Sequence, residues 1–152
     1  MFALAAYVLS LKGGPRPPAE QESRTAEATA FAAKVEWGHP ENPPVPDDPV
    51  MRQGAKVFET QCATCHRAGS NPAPLALTTI VNATDAENLV RVVFQGIQPP
   101  RGVLDRSMPG RAIQISDEEM VALATFVRAR FSRQPAWTEV GEIVRKTRGE
   151  RP

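Results

Sequence analysis

The sequence predicts an all-α fold, three main helices around one enclosed group, with an extended proline-rich segment ahead of them. Apolar residues recur at helical spacing in three stretches, and two of these stretches open on a capping-box pattern. No stretch requires a strand. The first helix is expected over 49–66, where Pro49 suits a first helical position and Val50, Gly54, Val57 and Phe58 share a face. Gly54 costs a helix about 1 kcal/mol relative to alanine, which implies close approach by another helix. A Gly/Pro/Ser/Asn-rich loop follows, "RAGSNPAPLALTTIVN". The second helix, "TDAENLVRVVFQGI", opens with Thr84 and Glu87 as a capping box, and Leu89, Val92, Val93 and Ile97 form its stripe. A proline-punctuated loop, "QPPRGVLDRSMPGRAIQI", leads to the third helix, "SDEEMVALATFVRARF". Ser116 and Glu119 cap that helix. Met120, Leu123, Ala124, Val127 and Phe131 face inward, and Arg128, Arg130 and Arg133 sit where the helix dipole favours cations.

Composition narrows the function. Apolar residues make up 41% and charged residues 23%, enough for a buried core. Eighteen Lys+Arg stand against seventeen Asp+Glu, so no basic excess supports binding to nucleic acid. Aromatics are sparse, which leaves room for a prosthetic group to contribute to the core.

Chemistry concentrates in residues 61–67, "QCATCHR". Zinc would want four Cys/His ligands, and because His66 follows Cys65 directly, Cys62 and Cys65 would be left with His39 and a carboxylate. A thioredoxin-like dithiol expects a strand ahead of the motif, and no Val/Ile-rich run precedes Gln61. Cys-x-x-Cys-His is the attachment signature of a c-type haem. Two thioether bonds from Cys62 and Cys65 hold the segment to the porphyrin edge and direct His66 at the iron. The other imidazole N–H needs a carbonyl, for which Pro72 and Pro74 are the candidates and Pro74, followed by Leu75, the preferred one. Leu89 and Val93 are expected against the same haem.

The second axial ligand is expected from Met108, held in a loop between Ser107 and Pro109, with His39 the rival. Met120 reads as core, and Met51 lies too near the attachment helix. Soft sulfur favours ferrous iron and raises the potential, and two filled axial positions favour electron transfer over catalysis at the metal.

Gly54 and Phe58 before "CATCH", Pro74-Leu75 after it, "SMPG", and Phe126 in the last helix together resemble the class I cytochrome c family over 49–131. The resemblance implies that Gly54, Phe58 and Phe126 carry the contact between first and last helices. Over 75–148, "NLVRVVFQGI", "MPG", "ISDEE" and "VRARFSRQPAWTEV" are similar to the C-terminal haem domain of multi-haem cytochrome subunits. Those subunits accompany periplasmic alcohol, aldehyde and nicotinate-type dehydrogenases, and usually carry three attachment motifs where this chain has one.

Four regions are expected: an apolar helix at 1–12, a proline-rich tether at 13–48, the haem domain at 49–133, and an extension with a short helix at 134–152. "ALAAYV" near the start repeats "ALATFV" at 122–127, with Tyr7 in the place of Phe126, as though an upstream haem domain ended there. A signal or anchor remnant is the competing reading of that opening. If the tether instead wraps a partner, Phe31, Val35 and Trp37 are its expected contacts, and Trp137, Val140 and Val144 recur at helical spacing near the end. The expected function is a mono-haem electron carrier, not an enzyme, working in the periplasm or at the periplasmic face of the inner membrane. Its expected partners are a dehydrogenase donor and a respiratory acceptor, with membrane association through partner subunits. Arg101, Arg106 and Arg111 would give the Met108 loop a positive rim. A haem enzyme, or a gas or peroxide sensor, with a displaceable Met108 is the alternative.

Overall fold

A computed structural model describes residues 18–70, 72–98 and 107–150. The 1–12 segment with Tyr7, and the loop residues Pro99, Pro100, Arg101, Gly102, Asp105 and Arg106, lie outside them. The described elements are α1 (Pro18–Val35), α2 (Pro49–Gln61), a 3₁₀ turn (Leu75–Leu77), α3 (Thr79–Asn82), α4 (Glu87–Gln95), α5 (Asp117–Phe131) and α6 (Val140–Gly149). One two-residue antiparallel pair joins β1 (Gly96–Ile97) to β2 (Met108–Pro109). The expected all-α class is what is observed.

Each main helix starts for a local reason. The Asp48 carboxylate accepts the N–H of Met51 at 2.9 Å, and Pro49 occupies the first turn of α2. The Ser116–Glu119 capping box forms reciprocally, at 3.2 and 2.9 Å. The expected Thr84–Glu87 box does not form. Asp85 Oδ1 accepts the Glu87 N–H at 3.0 Å instead, so α4 begins two residues later than its box would have placed it. The buried stripe of α4 is consequently Leu89, Val90, Val93 and Phe94. Val92 is half-buried, and Ile97 has left the helix for β1 and stays 44% exposed.

The centre of the fold is the crossing of α2 and α5. A Cβ on Gly54 would collide with the backbone of Ala122 and the Cβ of Phe126, so only glycine lets the two helices meet. Around that point Phe58, Phe126 and Phe131 are 1–2% exposed, with ring centroids 5.3–6.3 Å apart. Val57 joins this face, whereas Val50, one helix end away, remains exposed.

The arginines of α5 do more than face its dipole. Arg128 is 5% exposed, and its guanidinium donates to the carbonyls of Val81 (2.6 Å), Ala83 (3.0 Å) and Pro135 (2.7 Å) while lying over Trp137. Arg130 donates to the carbonyls of Val35 and Pro43. Both can be buried because their guanidinium heads satisfy loop carbonyls. Arg133 lies past the helix with its guanidinium over the Phe31 ring.

The flanking segments pack on the same core. Ala32 and Val35 at the end of α1 are buried. Trp137, Val140 and Val144 are buried where α6 lies on α4 and α5. A surface cluster ties that contact: Arg91 bridges Glu87 (2.8 Å) and Glu150 (2.6 Å), with Lys146 nearby. Among the described residues no helix is long and apolar enough to cross a membrane.

Candidate haem site

The attachment motif does not continue the first main helix, contrary to the expectation for 49–66. α2 ends at Gln61, and the chain turns sharply, with the Cys62 carbonyl accepting both the Cys65 N–H (3.1 Å) and the His66 N–H (2.9 Å). Those two bonds gather Cys62, Cys65 and His66 into one tight turn at the end of a buried helix. Both cysteines are free, Cys62 half-buried and Cys65 exposed.

The second part of the site is built at the far end of α4. Gly96 adopts φ 77°, in the left-handed region, and turns the chain into β1. Its partner strand passes so close that a Cβ there would strike the carbonyl of Met108, so the register Ile97 opposite Met108 depends on glycine. Just past this ladder, the Arg111 N–H donates to the Val93 carbonyl at 2.8 Å. Met108 is thereby presented from a segment tied to α4 and β1, half-buried and at the margin of the main core.

These two parts face one cleft of about 690 Å³, a volume suited to a large prosthetic group. Cys62, Cys65, His66, Val93, Met108 and Arg111 all line it. Pro74 and Leu75 share a much smaller space with His66, and the Pro74 carbonyl already accepts the Leu77 N–H at 3.0 Å. Leu89 is buried in the core, one turn before Val93, and is not part of the cleft wall. His39, the rival ligand, lies in a turn where its Nδ1 accepts the Glu41 N–H at 3.1 Å, away from the cleft lining. Met51 packs against the core and Met120 is fully buried.

The donor set fits a c-type haem: two thiols for attachment, an imidazole and a thioether, in a cleft whose described lining contains no carboxylate. Burial pushes the Cys62 thiol up to about 11, with the nearby Arg111 charge opposing and Cys65 adding to the rise. Burial also lowers the His66 pKa, which favours the neutral imidazole that coordinates metals. Among the described residues no three Cys, His, Asp or Glu converge as a zinc site would require. Of the three arginines expected at the rim, Arg111 is described, and it is the one charged side chain among the described lining residues apart from the titratable site groups themselves.

Fold and site together define a c-type cytochrome, an electron-carrying domain with covalently bound haem c. More particularly, the family described as cytochrome c oxidase, cbb3-type, subunit III matches residues 49–127, just over half the chain, and the chain belongs to it. Two curated relatives are similar beyond that span. A nicotinate dehydrogenase subunit of Pseudomonas putida is 30% identical over 142 residues, covering 89% of this chain and 10% of the relative. The cytochrome c subunit of the quinone alcohol dehydrogenase of Gluconobacter oxydans is 33% identical over 103 residues, covering 62% of this chain and 22% of the relative. The chain thus spans about a tenth and about a fifth of their lengths.

Proposed function

We propose that this chain is a mono-haem electron carrier, with Cys62 and Cys65 attached to the haem and His66 and Met108 as its axial ligands. The observation that carries this reading is that these four side chains line a single cleft. The bound haem iron would supply reversible one-electron exchange between its ferric and ferrous forms. The residues' part is to fill both axial positions, exclude water and hold the geometry unchanged between oxidation states. With haem bound, neutral His66 would hold the iron through one ring nitrogen, and the Pro74 carbonyl, which keeps a second lone pair, would be the acceptor for its other N–H. Met108, fixed by the Ile97 ladder, offers soft sulfur that favours the reduced state. Val93 supplies apolar wall.

Both relatives are named as dehydrogenase subunits, which supports a place for this chain beside a dehydrogenase that donates electrons and an acceptor that removes them. Thioether attachment calls for assembly outside the cytoplasm, and we assign the periplasm, with any membrane association made through partners. Arg111 at the cleft favours an acidic docking surface, with Arg101 and Arg106 expected to add to it. The test is a redox titration of the purified holoprotein followed by optical absorption. A single one-electron transition, with no binding of carbon monoxide to the reduced form, is expected. Rapid binding of carbon monoxide without denaturant would replace this reading with an open or displaceable axial site.

A further inference from the structure

We infer that residues 31–45, ahead of the family domain, form the wall behind His66, with Trp37 the positioning residue that keeps that side of the imidazole dry. The inference rests on the proposed ligand role of His66 and names an element that tunes it.

Three observations place the wall. The Trp37 carbonyl accepts the N–H of Ala68, two residues beyond His66, at 2.9 Å. The Trp37 ring packs on Phe58 and Phe126 with centroids 5.4 and 5.9 Å away, so it joins the aromatic cluster at the α2–α5 crossing. Trp37, Glu36, His66, Leu75 and Phe131 surround a gap of only about 10 Å³. That is at the lower limit of the room one water needs. His66 therefore shares this narrow gap with Trp37, a residue the family match does not include.

The segment is held on both sides of Trp37. Arg130 reaches from α5 to the carbonyls of Val35 and Pro43. The Asn42 side chain closes the intervening turn, accepting the Gly38 N–H at 3.2 Å and donating to the Lys34 carbonyl at 3.1 Å. Ala32 and Val35 anchor the approach in the core, and Arg133 covers Phe31. Removing the indole would open a space beside His66 large enough for water. Water there raises the local polarity and favours the ferric state, so the potential falls.

The test uses the full-length holoprotein and compares Trp37→Ala, Trp37→Phe and Arg130→Gln with the parent chain. Midpoint potential is read by redox titration, and opening of the wall by hydrogen exchange at the Ala68 amide. Trp37→Ala is expected to lower the potential, and Trp37→Phe to recover most of the loss. Arg130→Gln, which leaves the indole in place, is expected to speed Ala68 exchange by about tenfold. If Trp37→Ala yields too little holoprotein, Arg130→Gln decides by its own potential, which should also fall. Folded variants with the parent's potential would overturn the inference, whatever their melting temperatures. A parent chain without covalent haem would overturn the functional reading itself.

Discussion

At the scale of single residues, the proposed chemistry divides between side chains that would attach the haem and side chains that would tune it. Cys62 and Cys65 are held three apart by one turn, with the Cys62 carbonyl closing it. Replacing Cys62 with Ser is expected to reduce covalent attachment strongly, read as haem lost from the denatured chain on acid–organic extraction; undiminished retention would show that Cys62 is not an attachment point. Arg128 is the residue on which the surrounding loops most depend. Its three carbonyl partners have no replacement donor in Arg128→Met, so the substitution is expected to cost about 3 kcal/mol in denaturant unfolding. A loss under ~0.5 kcal/mol would place the guanidinium in solvent. The gathering of Cys62, Cys65 and His66 at one place was legible from spacing alone, because residues three and four apart meet within a single turn. The burial of Arg128 and Arg130 was not, because an arginine near a helix end satisfies the dipole rule equally well whether exposed or buried.

Among the elements, the α2–α5 crossing sets the platform on which the attachment turn stands. Gly54→Ala is expected to destabilise the fold by about 3 kcal/mol, read as a shifted denaturant midpoint, since its methyl meets the backbone of Ala122. An unchanged midpoint would mean that the helices can separate at no cost. That approach was legible, because a glycine inside an otherwise regular helix calls for a neighbour. The start of α4 was not, because Asp85 competes with Thr84 for the same amides, and sequence spacing does not say which wins. The contact of α4 with α6 carries a pH dependence. Glu87 sits below the ordinary carboxylate range, first through its bond to Arg91 and then through the Lys146 charge. A depressed carboxylate contributes stability above its unfolded pKa, and the contribution disappears as pH falls through the folded value. Glu87→Gln should therefore lower the melting temperature slightly at neutral pH and leave it unchanged in acid. An equal loss at both pH values would remove the ion cluster from the explanation.

Across the whole molecule, two features distant in sequence meet at one cleft: the turn after α2 and the ladder after α4. That Met108 lines the cleft and Met120 is buried was readable from their settings, one in a proline-held loop and the other on an amphipathic helix. The packing of Trp37 was harder to see. Its segment is rich in proline, and nothing in its own spacing shows that Arg130, far along the chain, holds its carbonyls. The central claim is axial ligation by His66 and Met108, and the most direct test is the near-infrared absorption of the oxidised holoprotein, parent chain against Met108→Ala. A weak sulfur-to-ferric-iron charge-transfer band in the parent, lost in the variant, is the expected result. A parent spectrum without the band, or a variant that retains it, would contradict ligation by Met108.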